Sequence, residues 1–278
     1  MTLRIGVALG GGGARGLAHV HVLEALDELG LQPSAISGCS IGAIIGAGRA
    51  AGLTGKDLHE VVAATFRNAG EVWSRVWQLR PKRLGDIFTS GFSQFDAERT
   101  VEIFVPEVVP YDFKYLSIPF SVVTTDFYEC RECEFTDGPL RAAIAASIAI
   151  PVVFRPVEIN NRVYIDGGVS NPLPFDKLPA DVDISIAVDV VGGPVRRPGR
   201  NRPSATEAVF GASQILMQSV LAEKLKTRHP DILIKPPVDA FRVLDFMKAS
   251  AILKATQPIK DEVKRKVEAL LEQREAAE

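Results

Sequence analysis

The sequence predicts an α/β fold, a parallel sheet with helices on its faces. Two observations carry that prediction. The first hundred residues open with short apolar runs at 4–9 and 34–38, each followed by a stretch of helical spacing at 16–29 and 41–52. Such a β-α-β-α order needs crossover connections and therefore a parallel sheet. Further β-rich runs near 119–127, 162–165 and 184–190, and from 232 onward, supply more strands for the same sheet.

Composition bounds the rest. A chain of 278 residues with 46% apolar and 24% charged residues is of ordinary globular type, and we expect one domain over 1–278. A formal net charge of −2 leaves no basic field, which argues against nucleic acid as a partner. The N-terminal apolar run is too short for a secretory leader, and no stretch reaches the roughly 18 apolar residues of a spanning helix. The expectation is a cytoplasmic protein.

Taken in order, residues 4–9 form a short buried strand that ends in Gly10-Gly11-Gly12-Gly13-Ala14-Arg15-Gly16. This loop contains G-x-G-x-x-G at Gly11, Gly13 and Gly16, the place and pattern of a dinucleotide fingerprint. A dinucleotide fold then wants a carboxylate at the end of the second strand. That strand ends in Gly38-Cys39-Ser40-Ile41-Gly42 and has none, and no Lys-Ser/Thr pair completes a P-loop. The other use of consecutive glycines is to converge backbone N–H groups on one point at a helix start, which stabilises an oxyanion. The helix that follows places Leu17, Val20, Leu23 and Leu26 on one face.

Gly38-Cys39-Ser40-Ile41-Gly42 is G-x-S-x-G between a strand and a helix. A nucleophilic serine needs such a sharp turn so that its hydroxyl stands clear of the backbone, and the flanking glycines remove Cβ atoms that would clash there. Ser40 is the candidate nucleophile.

Residues 71–95 interleave Trp73, Trp77, Phe88, Phe92 and Phe95 with Arg75, Arg80, Lys82 and Arg83. Trp73 and Trp77 share a helix face. The pattern suits a lid or transient docking on an anionic membrane surface, and the plainer reading, which we favour, is a helix that packs its tryptophans into the core. Past the strand at 119–127, Cys130 and Cys133 form a CxxC with no second ligand pair nearby. Three cysteines make no disulfide framework, so the pair reads as a hairpin end.

The run at 162–165 leads into Asp166-Gly167-Gly168 and then Asn171-Pro172. Serine needs a proton acceptor. None of His19, His21, His59 and His229 sits in a late, glycine-flanked loop, and surface or helix-packing roles suit all four. Asp166 at a strand end can serve as base in a dry site, or simply form an Asp-Gly turn. The residues alone leave that open. After the strand at 184–190, the Gly-, Pro- and Arg-rich stretch 192–204 reads as a mobile loop, and 259–273 as an amphipathic C-terminal helix packing on the body.

The ordered set Gly11-Gly12-Gly13-Ala14-Arg15-Gly16, Gly38-Cys39-Ser40-Ile41-Gly42 and Asp166-Gly167-Gly168 resembles the patatin-like phospholipase family, bacterial soluble branch. The block Ala146-Ser147-Ile148-Ala149-Ile150-Pro151-Val152-Val153-Phe154, Asn171-Pro172 and Pro230-Asp231-Ile232-Leu233-Ile234 extend the resemblance over most of the chain. It implies a three-layer α/β/α sandwich with a mainly parallel sheet. It also implies a Ser-Asp dyad of Ser40 as nucleophile and Asp166 as general base, with Gly11, Gly12 and Gly13 forming an oxyanion hole that Arg15 supports. Gly16, Gly38, Gly42, Gly167 and Gly168 support the motifs. The implied reaction is ester hydrolysis of phospholipids or lysophospholipids, with no metal and no cofactor. A non-catalytic lipid-binding protein on the same fold is the alternative. His21 stands where the family usually has glycine, and decoration of a helix face is the reading we favour for it. Oligomeric state, acyl length and head group are not legible.

Overall fold

The computed structural model describes residues 3–67, 94–196, 199 and 202–276. Most of the aromatic and basic stretch 71–95 therefore lies outside the described residues, as do 197, 198, 200 and 201 of the 192–204 loop. What is described of that loop before residue 203 has no helix or strand.

The sheet has eight strands: β1 (Ile5–Leu9), β2 (Pro33–Cys39), β3 (Phe120–Asp126), β4 (Arg131–Phe135), β5 (Val157–Ile159), β6 (Arg162–Asp166), β7 (Ile184–Val188) and β8 (Ile232–Ile234). Its order is β5-β6-β3-β2-β1-β7-β8, with β4 also on β3. The β3-β2-β1-β7-β8 stretch is parallel, as expected, whereas β4, β5 and β6 join antiparallel. β1 is buried at every position, which its unbroken Ile-Gly-Val-Ala-Leu composition requires of a central strand covered on both faces.

The helices among the described residues are α1 (His19–Glu28), α2 (Ile41–Ala50), α3 (Gly55–Phe66), α4 (Ala97–Phe104), α5 (Leu140–Ser147), α6 (Ala205–Lys224), α7 (Ala249–Thr256) and α8 (Ile259–Glu275). Side-chain alternation divides the core in two. Ile5, Val7 and Leu9 of β1 and Ile184, Ile186 and Val188 of β7 enter a large cluster with residues of α1, α2, α3, α5, α7 and α8. Ala8 and Ala187 face the other way, where Leu173, Phe175 and Leu221 of α6 form a thinner second core. The layers are α/β/α, and the small alanines let α6 and the segment at 171–178 approach the sheet closely. α8 buries Ile259, Val263 and Val267 against the body, as its periodicity predicts. Cys130 turns the β3–β4 hairpin at φ 51°, and Cys130 and Cys133 are free thiols.

No helix among the described residues is long and apolar enough to cross a membrane.

Candidate active site

β3 builds the site. β2 and β6 both lie on the edge of β3 opposite β4, one parallel and one antiparallel, so their C-terminal ends point at each other. Cys39 registers with Val123, and Asp166 with the next residue, Thr124. Ser40 and Asp166 thus meet tip to tip, although 126 positions separate them in sequence.

Ser40 Oγ donates to Asp166 Oδ2 at 2.7 Å, and both residues are buried. Ser40 adopts φ 54°, ψ −122° at the N-terminus of α2, a backbone conformation that costs on the order of 1–3 kcal/mol. Two contacts hold it there. Its N–H donates to Ser147 Oγ at 2.8 Å, and Ser147 Oγ in turn donates to Val123 O at 2.7 Å. Its carbonyl accepts from Ala43 N. The tight elbow brings Gly42 so close to β1 that a Cβ would lie 2.0 Å from Leu9 O, so no other residue fits.

Asp166 is fixed on every polar atom. Oδ1 accepts from Gly168 N at 2.7 Å, its carbonyl accepts from Thr125 Oγ1 at 2.9 Å, and its N–H donates to Ala149 O. Burial pushes its carboxyl up to about 6, partly offset by the hydrogen bonds from Ser40 and Gly168. Desolvation penalises the charged form, and no cation among the described residues compensates. Beside it, burial and then the charge of Asp166 push the Cys39 thiol up, so Cys39 stays protonated.

The glycine loop lies across the same cavity. Gly12 and Gly13 line it with Ser40 and Asp166, and with apolar Ile150, Val169, Phe210 and Met217. Gly13 takes φ 58°, and a Cβ there would meet Val243 O at 2.2 Å. Of the three glycines grouped as oxyanion donors on sequence, Gly11 stands apart: its N–H donates to Pro172 O at 2.9 Å. The Gly12 and Gly13 N–H groups have no acceptor among the described residues. Arg15 is buried and turned away, its Nε donating to Phe241 O at 2.7 Å and its Nη1 to Val191 O. It ties the glycine loop to the chain after β7.

No histidine contacts Ser40. His19 is fully buried and donates from Nε2 to Gly10 O at 2.9 Å, behind the glycine loop. Burial pulls it down to about 4, so it is neutral. His21 is buried as well, against α7, and so does more than decorate a helix face; it does not line the cavity at Ser40. Phe95 packs on Phe154 through a parallel bridge.

Sequence reasoning missed two groups. Ser147 lay within a recognised block but received no role, since nothing local says that its hydroxyl will meet the Ser40 amide. The second is a partly buried charge cluster beside the Asp166 turn, in which Lys224 of α6 pairs with Asp176 and donates to Asn171 Oδ1 at 2.6 Å.

The cavity at Ser40, about 40 Å³, shares Phe210, Gln214 and Val243 with a larger one of about 750 Å³. Phe241 and Leu244 also line the larger cavity, and Arg196, Arg202 and Arg242 are at its wall.

A family model described as patatin-like phospholipase matches residues 7–179. Uncharacterized NTE family proteins of Mycobacterium bovis and Mycobacterium tuberculosis are 37% identical over 197 residues, covering 69% of this chain and 51% of theirs. Lysophospholipase NTE1 of Eremothecium gossypii is 26% identical over 281 residues, covering 89% of this chain and 17% of that protein. The chain thus spans about half the length of the mycobacterial relatives it matches. The crystal structure of VipD from Legionella pneumophila aligns over 91% of this chain and 67% of that one, at 14% identity and a TM-score of 0.45.

Proposed function

The chain belongs to the patatin-like phospholipase family, and from that premise we propose that it hydrolyses carboxylic esters of phospholipids or lysophospholipids through an acyl-Ser40 intermediate. The observation that carries the reading is the buried 2.7 Å hydrogen bond from Ser40 Oγ to an Asp166 carboxyl that no cation among the described residues neutralises.

Near neutral pH, a carboxyl pushed up to about 6 is mostly ionised yet basic enough to accept a proton. As Ser40 Oγ attacks the ester carbon, Asp166 Oδ2 takes the hydroxyl proton. The carbonyl oxygen becomes an oxyanion, and the unpaired N–H groups of Gly12 and Gly13 are the donors for it. Gly11 shapes that loop through Pro172, and Arg15 braces it from behind. Collapse breaks the ester C–O bond, and Asp166 returns its proton to the leaving alcohol. Water then attacks the acyl-serine, with Asp166 taking the water proton and passing it to Ser40 Oγ as the acid departs.

The larger cavity, of a size that encloses a drug-sized ligand, suits the acyl chain, and its arginines suit a phosphate-bearing head group. Likeness to lysophospholipase NTE1 favours a single-chain substrate. Exposed Val152 and Val169, with Ile215 and Leu216 on α6, suit transient contact with a lipid surface.

A fluorophosphonate probe tests the nucleophile. Wild type is expected to be labelled and Ser40→Ala to lose both labelling and lysophospholipid hydrolysis. A folded wild type that takes no label and turns over no ester would leave the non-catalytic lipid-binding reading in its place.

A further inference from the structure

On the outer side of α1, three side chains of metal-ligand type converge. His21 Nδ1 lies 3.0 Å from Glu24 Oε2, and His59 Nδ1 of α3 lies 2.9 Å from Glu24 Oε1. The three ligand atoms all fall within 4.8 Å of one another, the one such group among the described residues. We propose that His21, Glu24 and His59 bind a divalent transition metal of the zinc class, clamping α1 to α3.

The setting of His21 is the first argument. Its Nε2 lies 2.9 Å from Leu253 O, an atom that can only accept, so Nδ1 is the nitrogen turned to Glu24 and the one placed to ligate. A metal there takes Nδ1 of His21 and a Glu24 oxygen. The bond from Nε2 to a backbone carbonyl is also the second contact that metal-binding imidazoles make, fixing tautomer and ring orientation.

Geometry and access agree. Tetrahedral zinc with bonds of about 2.0–2.2 Å holds its ligand atoms roughly 3.3 Å apart. The two contacts to Glu24, at 3.0 and 2.9 Å, are near that spacing, and the atoms that now lie within 4.8 Å of one another close on the metal through a rotation of the more exposed His59. His21 and Glu24 are one turn apart on α1 and preset by the helix. The His21 side chain is 2% exposed, whereas that of His59 is 33% exposed. The cluster therefore has a dry back and an open front, where water completes the four ligands. Imidazole and carboxylate together suit zinc over calcium or magnesium. Lys260 also reaches Glu24, at 3.5 Å, but it pairs with Glu28 as well and keeps that partner when the metal takes Glu24.

The site is structural. None of the three residues lines the cavity at Ser40, and through Leu253 the cluster links α1 and α3 to α7.

Titration calorimetry with zinc alone on the full chain, stripped by chelator, tests it. Wild type is expected to bind one zinc per chain and to melt at a higher temperature with it. Half-exposed His59→Ala should keep its fold and weaken binding at least about tenfold, while Cys130→Ser/Cys133→Ser binds as wild type does. Cobalt should give visible bands of tetrahedral nitrogen and oxygen ligation in wild type and not in His59→Ala. Absence of saturable binding, equal affinity in His59→Ala, or loss in the cysteine variant would each overturn the site. Esterase activity is expected to survive stripping, so the result stands apart from that of the dyad.

Discussion

Two carboxylates, one buried and one partly buried, flank the stretch after β6, and they are treated in opposite ways. Asp166, at the end of β6, has hydrogen bonds from Ser40 and Gly168 but no cation among the described residues, and burial raises its proton affinity. Asp176 lies at the other end of the same stretch. Burial pushes it up too, but the hydrogen bonds and charge of Lys224, with Asn171 and Lys177, outweigh that and hold it below the ordinary carboxylate range. In the proposed mechanism the first arrangement is a base poised for proton transfer; the second is a paired anchor. The anchor also serves the base. Asn171 N donates to Gly167 O at 2.8 Å within the Asp166 turn, and Pro172 O receives the Gly11 N–H of the glycine loop. The uncompensated carboxyl is the one we propose to react, and the compensated one holds its turn in place.

The largest expected effect lies at Asp166. Asp166→Asn should lower kcat by about 10²–10⁴-fold with little change in fold, measured on lysophospholipid. For wild type, kcat/KM should rise with pH through about 6, as Asp166 ionises. A profile flat from acid to neutral pH would break the comparison.

The next effect reverses in sign between the two carboxylates. The folded-state value of Asp166, about 6, lies above the ordinary 3.8, so neutral Asp166 favours the fold below pH 3.8 and loses that contribution as pH rises through 6. Near pH 8, Asp166→Asn should therefore be more stable than wild type by up to about 3 kcal/mol, a gain that vanishes near pH 4. Asp176, lowered in the fold, contributes above its ordinary value and loses that contribution in acid. Asp176→Asn should destabilise by about 3 kcal/mol at neutral pH, because it strands Lys224 in a partly dry site. Urea unfolding across pH reads both, and equal signs for the two variants would sink the contrast.

The smallest effect is expected at a neutral group. Ser147→Ala removes the acceptor of the Ser40 N–H and should cost about 1–3 kcal/mol in urea unfolding. No measurable loss would mean that the elbow holds its geometry unaided.

What could be read beforehand follows from range. The elbow at Ser40 was legible because its requirements are local: a strand, a serine, two glycines and a helix in unbroken order. The parallel half of the sheet was legible for the same reason. Asp166 was legible only through resemblance, since a strand-end Asp followed by glycines makes ordinary turns as readily as bases. His21 was taken for a helix decoration because the Leu17, Val20, Leu23 and Leu26 spacing marks a single buried face, whereas α3, α7 and α8 cover α1 further round. The free N–H groups of Gly12 and Gly13, and the engaged one of Gly11, depended on where Pro172 arrives.

By itself the sequence determined the parallel strands, the elbow and the glycine loop, through backbone sterics and hydrophobic period acting over a few residues, but not the short antiparallel strands Arg131–Phe135 and Val157–Ile159. Tertiary structure alone decided that β2 and β6 meet tip to tip along β3. It also decided that the carboxyl there is dry and without a cation, while a neighbouring one is paired. Proton affinity is set by burial and by charges distant along the chain, and those exist only once the sheet has assembled.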